Sequence, residues 1–371
     1  MRKYGLTLAA AIVAATAIGA GNAAADIRVA TAGPMTGDYA AFGAQMQRGA
    51  EAAVADVNAA GGVLGENLVL EIGDDACDPK QATAVANDFV SKGVIFVAGH
   101  FCSGSSIPAS DVYIDEGILQ MTPASTNPAF TEGPAEKGIN TIFRTCGRDD
   151  QQGQFAGPWI AENFAGKNVA IIHDKSTYGK GIADLTKAEM NAAGLQEVLY
   201  EAYTAGEQDY TALVTKMKAS NIDVIYLGGY HTEGALIIRQ AREQGLGAQM
   251  IGPDSLNTAE FVSIAGDAAE GVMFSNAAEA RNLPSAAEVV AAIREGGFEP
   301  EGYTLSTYAA IEAWAAAVNE AGTTGADEVA ETLRSHDWDT VIGTIGFDDK
   351  GDLKQSAYVW YVFKDGTYAE M

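Results

Sequence analysis

Apolar and polar positions alternate with two different periods along most of this chain. Short apolar runs are typical of buried strands, and the segments between them repeat apolar residues with helical spacing. In the first part, the predicted strands are 26–31, 68–72, 94–98 and 118–121, and the predicted helices are 42–58, 79–90 and 105–116. The rhythm restarts after residue 150, with strands at 169–173, 224–227 and 250–251 and helices at 151–163, 178–192, 209–220 and 233–244.

This alternation determines the predicted fold class. Parallel strands need a long crossover, usually a helix, and the resulting sheet is covered on both faces. Because the pattern occurs twice, it predicts an α/β protein with two doubly wound parallel-sheet lobes. Ligands of such sheets bind outside the carboxyl ends of the strands, so we expect the functional residues in the loops that follow them.

Length and charge exclude several classes of protein. The chain has 371 residues, 47% of them hydrophobic, which is enough for more than one core. Its formal net charge is −26, and clusters of Lys and Arg are what nucleic acids and anionic lipid surfaces require. We therefore expect no nucleic-acid partner.

The first 25 residues are typical of an export signal. Arg2 and Lys3 precede an apolar, Ala-rich run at 6–20, and three alanines end at Ala25. This pattern predicts a signal peptide cleaved after Ala25, and the alternative is an uncleaved membrane anchor. No later apolar run is long enough to span a bilayer, so we expect no stable membrane insertion after cleavage.

Sequence motifs of enzymes are not found. The first strand is followed by Gly-Pro-Met-Thr-Gly rather than a dinucleotide-binding G-x-G-x-x-G, and neither a P-loop nor a G-x-S-x-G elbow occurs. His100, His173 and His231 each end a predicted strand, where a structural role and a role in a site are both open. The sequence therefore predicts no catalytic residue, no metal and no cofactor.

Export would allow a disulfide among the three cysteines. A bridge between Cys77 and Cys102 would leave Cys146 unpaired, and the alternative is three free buried thiols.

Several segments, in a fixed order, resemble a known family. They are Asp-Asp-Ala-Cys-Asp-Pro-Lys-Gln-Ala at 74–82, Gly-His-Phe-Cys-Ser at 99–103, Gly-Gly-Tyr-His at 228–231 and Asp-Lys-Gly-Asp-Leu-Lys at 349–354. From Asp26 to the C-terminus the chain is similar to the leucine/isoleucine/valine-binding proteins of bacterial ABC importers. The resemblance implies a type I periplasmic binding protein fold, in which two lobes are joined by a three-strand hinge. The implied lobes are 26–144 plus 278–348 and 145–277 plus 349–371.

The resemblance also implies a function and a site. The function is periplasmic capture of a free amino acid between the lobes and its delivery to an inner-membrane permease. Ser103 would hold the ligand carboxylate, Ala124 and Thr126 would supply a carbonyl and a hydroxyl, and Asp254 would pair with the ammonium. Further implied positions are Tyr178 and Tyr230 on the second lobe, Phe42, Phe101 and Tyr303 around the ligand side chain, and a disulfide between Cys77 and Cys102.

Two positions depart from the family pattern. Phe101 stands where the best-known members have Leu, and Asp254 stands where they have the longer Glu. Extra bulk in a well-packed pocket costs about 1–3 kcal/mol. We therefore expect a smaller side-chain pocket that favours Ala, Val, Pro or γ-aminobutyrate over Leu and Ile, and the alternative is that neighbouring residues relax and Leu stays preferred.

Other interpretations remain open at this stage. Without the resemblance, Asp254 is equally well a solvated loop acid or the N-cap of a helix at 256–265. The same fold also serves as the ligand-sensing domain of amino acid or amide receptor systems. An exported hydrolase that uses Ser103 would need a base that the sequence does not reveal.

Overall fold

The computed structural model describes residues 26–371, which form two lobes, each with a central sheet covered by helices on both faces. The predicted α/β class with two doubly wound lobes is confirmed. The predicted signal peptide lies outside the described residues. In the part of the chain that the model covers, no helix is long and apolar enough to cross a membrane.

The first lobe has a five-stranded, entirely parallel sheet in the order β2-β1-β3-β4-β5. Its strands are β1 (Ile27–Gly33), β2 (Leu68–Asp74), β3 (Phe96–Gly99), β4 (Leu119–Thr122) and β5 (Ile142–Arg144). The intervening helices are α1 (Ala40–Ala59), α2 (Pro79–Lys92), α3 (Ser103–Asp115) and α4 (Ala129–Glu136). Neighbouring residues of a strand enter separate cores on the two faces, as Val29 and Ala30 do, which explains the continuous apolar runs.

The second lobe has a seven-stranded sheet in which β6 to β10 are parallel. Its strands are β6 (Val169–His173), β7 (Leu199–Ala202), β8 (Val224–Gly228), β9 (Gln249–Gly252) and β10 (Met273–Ala277). Its helices are α5 (Asp149–Asn163), α6 (Thr177–Ala192), α7 (Thr211–Ala219), α8 (His231–Glu243) and α9 (Ala259–Ala265).

The chain then returns to each lobe once more. The helices α10 (Ala287–Glu295), α11 (Thr304–Ala321) and α12 (Ala326–Ser335), with strands β11 (Trp338–Thr340) and β12 (Gly343–Ile345), join the first lobe. The strands β13 (Tyr358–Lys364) and β14 (Thr367–Glu370) extend the second sheet in antiparallel fashion. The second sheet therefore has two antiparallel strands at one edge of an otherwise parallel arrangement.

Polypeptide passes between the lobes in three places, at 145–148, 278–279 and 355–357. Residues 349–354, expected in the second lobe, instead contact the first. The backbone N–H of Arg144 in β5 donates to the carbonyl of Gly351 over 3.0 Å, and Nε of Arg144 lies 2.7 Å from the carboxylate of Asp352.

Candidate ligand-binding site

The carboxyl ends of the parallel strands in both lobes face the same cleft. Phe101 and Ser103 follow β3, and Ala124 follows β4, on the first lobe. Tyr178 follows β6, Tyr230 follows β8 and Asp254 follows β9, on the second lobe. This is the placement expected for ligand-contacting loops of doubly wound sheets.

Most of the predicted site residues surround one small cavity between the lobes. The lining consists of Phe101, Ser103, Ala124, Tyr178, Tyr230, Asp254, Ser255 and Tyr303. The volume of this cavity is ≈ 10 Å³. Phe42 and Thr126 are also buried but stand behind this lining.

Asp254 joins the two lobes at this cavity. The hydroxyl of Tyr178 donates to its Oδ1 over 2.8 Å, and the hydroxyl of Tyr303, from the first lobe, donates to Oδ2 over 2.6 Å. The side chain is buried, and burial raises the pKa of this carboxyl while the two tyrosine hydrogen bonds lower it. The alternative role as a solvated acid is wrong, because Asp254 is buried. The alternative role as a helix cap is also wrong, because α9 begins at Ala259 and is capped by Thr258.

Neutral hydrogen-bonding groups face Asp254 from the first lobe. Ser103 opens α3, whose N-terminus has no side-chain cap; the amides of Ser105 and Ser106 donate to the carbonyl of Cys102, over 2.8 and 2.9 Å. The Oγ of Ser103 accepts from the backbone N–H of Asn127 over 3.3 Å. Thr126 lies beyond Ala124 and lines a second cavity of ≈ 340 Å³ that borders Asp254 and the three crossings.

Aromatic rings form much of the cavity lining. Phe101 stacks on Phe42 with ring centroids 4.6 Å apart, and Tyr303 meets Phe101 edge-on at 4.9 Å. Tyr178 and Tyr230 pack together on the second lobe at 5.1 Å. Phe42 therefore supports Phe101 from behind and fixes the ring that narrows the cavity.

Three residues at or near the site were missed in the sequence: Ser255 and Asp149 are buried, and Tyr39 is partly buried. The hydroxyl of Ser255 donates to the carbonyl of Gly229 over 2.6 Å and lines the cavity. Tyr39 stacks on Tyr230 with centroids 4.5 Å apart. Tyr39 and Phe42 share the loop and helix start after β1, so strand-end placement was the signal that could have found Tyr39.

Asp149 is the third missed residue. It begins α5, its backbone N–H donates to the carbonyl of Thr126 over 2.9 Å, and its side chain is fully buried. Within residues 26–371 neither of its carboxylate oxygens has a hydrogen-bond partner. Burial raises the pKa of Asp149 to about 8, and the nearby Asp254 contributes in the same direction.

The remaining candidates have structural roles. His100 is buried between Asp75, at 2.6 Å from Nδ1, and Tyr113, at 2.8 Å from Nε2. A disulfide joins Cys77 to Cys102, and Cys146 is a free cysteine. Among the described residues, no group of three or more His, Cys, Asp or Glu side chains could hold a metal ion.

Two α/β lobes meet at a small cavity lined by aromatic rings, with Asp254 on one lobe and Ser103 on the other. This arrangement defines a two-lobed binding protein. A family model described as "Periplasmic binding protein" matches residues 26–367. The chain is 47% identical over 368 residues to "Leu/Ile/Val-binding protein homolog 1" of Brucella suis, covering 99% of this chain and 98% of that protein. It is 50% identical over 354 residues to "Amino acid binding protein" of Pseudomonas aeruginosa, covering 94% of each.

Solved structures agree with this similarity. A leucine binding protein from Thermotoga maritima superposes with a TM-score of 0.85 at 26% identity, covering 93% of this chain and 97% of that one. A branched-chain amino acid transporter substrate binding protein from Streptococcus pneumoniae, in complex with isoleucine, gives a TM-score of 0.83 at 26% identity, covering 94% and 100%. The chain belongs to the Leu/Ile/Val-binding proteins of the periplasmic binding protein family, which confirms the resemblance.

Proposed function

We propose that this protein is the periplasmic substrate-binding component of an ABC importer. It captures a free neutral amino acid between its lobes and delivers it to an inner-membrane permease. The observation that carries the proposal is the buried Asp254 carboxylate facing Ser103 and the start of α3 across an enclosed cavity. The names of the relatives support the same ligand class and the same transport role.

The site matches the chemistry of an amino acid zwitterion. Burying either charge without hydrogen bonds costs several kcal/mol, so a binder must replace water at both ends. Ser103, the N-terminus of α3, Ala124 and Thr126 take the carboxylate end without adding a net charge. Asp254 takes the ammonium through a charge-assisted hydrogen bond, worth about 1.5–3 kcal/mol. No covalent bond is made or broken.

The aromatic packing favours a short ligand side chain. Phe101 packs on both Phe42 and Tyr303, and these two rings also meet each other at 5.6 Å, so Phe101 belongs to a three-ring cluster that restrains it. A branched Leu side chain would compete with that ring for the same space. We propose Ala, Val, Pro or γ-aminobutyrate as preferred ligands over Leu and Ile.

The lobes and their movement follow from the same interpretation. The proposed lobes are 26–144 with 278–348 and 145–277 with 349–371; the contacts of Gly351 and Asp352 with β5 extend the first lobe to about residue 354. Ligand binds the first lobe, and the contacts with Tyr178, Tyr230 and Asp254 form only on closure. Ligand therefore shifts the equilibrium toward the closed form by its differential affinity. We also propose that the protein is exported and that its signal peptide is cleaved after Ala25.

Native mass spectrometry of the purified protein, followed by calorimetry with Leu, Ile, Val, Ala, Pro and γ-aminobutyrate, tests both parts. We expect a retained or titratable amino acid with one-to-one stoichiometry. Failure of every amino acid to bind would overturn the function. Tighter binding of Leu than of Val, Ala and γ-aminobutyrate would overturn the proposed preference alone.

A further inference from the structure

A second contact crosses the cleft outside the ligand cavity. The hydroxyl of Tyr39, from the first lobe, lies 3.2 Å from both carboxylate oxygens of Glu233 in the first turn of α8. Beside it, the hydroxyl of Thr232 donates to the backbone carbonyl of Asp38 over 2.9 Å. We call these four residues, Asp38, Tyr39, Thr232 and Glu233, the cleft latch.

Glu233 is an unusual residue to find at such a contact. Its side chain is 1% exposed, and in the part of the chain that the model describes no Lys or Arg forms an ion pair with it. Its hydrogen bonds come from the hydroxyl of Tyr39 and from the backbone N–H of Gly206, over 3.0 Å. A buried carboxylate depends strongly on each neutral donor that it has, so separation of the lobes would return Glu233 to water as its partner.

Tyr39 is suited to act as a donor only. Burial raises the pKa of its hydroxyl, and the Glu233 carboxylate raises it further, so the group stays protonated. The Tyr39 hydroxyl therefore donates to Glu233 and is shared between its two carboxylate oxygens, at 3.2 Å from each.

The cleft latch is connected to the ligand cavity through Tyr230. The ring of Tyr39 packs on Tyr230 at 4.5 Å, and Tyr230 lines the cavity and packs on Tyr178. Tyr230 also immediately precedes α8, which carries Thr232 and Glu233. Tyr39 thus contacts a residue of the cavity lining without lining the cavity itself.

We propose that Tyr39 and Glu233 are positioning residues that set the residence time of the ligand. They form their bond only when the lobes are closed and so hold Tyr230 against the cavity. The inference rests on the proposed function, but no residue of the cleft latch lines the cavity, so it adds a determinant that the site residues do not contain. Because it forms after the ligand has entered, it acts on dissociation rather than on association.

Stopped-flow fluorescence with L-valine and γ-aminobutyrate as probes tests this inference. We expect Tyr39→Phe and Glu233→Gln each to raise the dissociation rate about tenfold, with association rates within threefold of wild type. The double variant should exceed neither single variant substantially, because Tyr39→Phe removes the donor and Glu233→Gln weakens the acceptor of the same bond. Tyr308→Phe is the matched control, since Tyr308 donates to Asp56 over 2.8 Å within the first lobe. Unchanged dissociation rates, or losses confined to association, would overturn the cleft latch.

A second measurement separates failure of the cleft latch from failure of the proposed function. Spin labels at Glu116 and Asp267, exposed positions on the first and second lobes, report lobe separation in a Cys146→Ala background. If neither L-valine nor γ-aminobutyrate binds the wild-type protein, the proposed function fails for these ligands. The distance between the spin labels then tests the cleft latch without a ligand. We expect Tyr39→Phe to shift the distance distribution of the ligand-free protein toward the open form. An unchanged distribution would overturn the cleft latch.

Discussion

Tyr303 donates a 2.6 Å hydrogen bond to Asp254, and this bond joins the first lobe to the second at the ligand cavity itself. Tyr178 donates to the other oxygen of the same carboxylate from within the second lobe. One buried acid is therefore shared between lobe closure and the proposed recognition of an ammonium group. Its substitution should affect ligand binding far more than the fold of either lobe.

The first prediction concerns Asp254 directly. Asp254→Ala should weaken binding of L-valine more than tenfold, because the charge-assisted bond is lost and two tyrosine hydroxyls lose their acceptor. The free energy of unfolding of the ligand-free protein should change little, because water replaces the lost acceptor for both hydroxyls when the lobes are apart. Calorimetry and urea unfolding measure the two effects, with Asp267→Ala, an exposed acid of the second lobe, as the control. Wild-type affinity in Asp254→Ala would remove this residue from the site.

How much of this site could be predicted from the sequence depends on the kind of contact. Asp254 and Tyr178 follow strand ends, so local pattern and family resemblance together find them. Tyr39 depends on a contact between residues 194 positions apart, across a cleft whose closed geometry no spacing rule provides. Asp149 was missed because its burial follows from the contact between the start of α5 and Thr126 of the first lobe, and an acid in a first helical turn is ordinarily exposed.

The secondary structure shows the same difference between features that the local sequence predicts and features that depend on tertiary contacts. The periodicity predicted α1 and α6 to within a few residues, because both are long and have one buried face. It missed β5, which has three residues, and β7, which lies at the sheet edge and is not fully buried. Such strands are defined by their neighbours in the sheet and have too few residues to show a period.

The second prediction concerns ligand preference. Phe101→Leu should raise the affinity for L-leucine relative to L-alanine by about tenfold, because it removes the ring that narrows the cavity. Phe96→Leu is the matched control, since Phe96 also stacks on an aromatic ring, that of Trp314 at 4.6 Å, but lies in the core of the first lobe. Calorimetry with both amino acids measures the ratio. An unchanged ratio in Phe101→Leu would show that Phe101 does not set the size of the pocket.

The third prediction concerns the disulfide. The bond between Cys77 and Cys102 closes a loop of 25 positions, and the chain-entropy model assigns such a loop about 3 kcal/mol. Replacing both cysteines by serine should lower the free energy of unfolding by about this amount in urea titrations. Cys146→Ser, which removes a free thiol, is the control and should cost much less. Equal losses in the two variants would contradict the entropic role of the bridge.

The last prediction is a pH dependence that originates at Asp149. Its pKa is raised by burial from 3.8 to about 8, so between these values the folded state holds a proton that the unfolded chain has released. Stability from this group is therefore lost as the pH rises through that window, with a limiting slope of about 1.4 kcal/mol per pH unit. Asp149→Asn removes the ionisable group. The free energy of unfolding of this variant, relative to that of wild type, should therefore increase steadily from pH 5 to pH 8. Parallel profiles of the two proteins in urea titrations would show that Asp149 is ionised in the folded state, since only a proton retained on folding makes the two curves diverge.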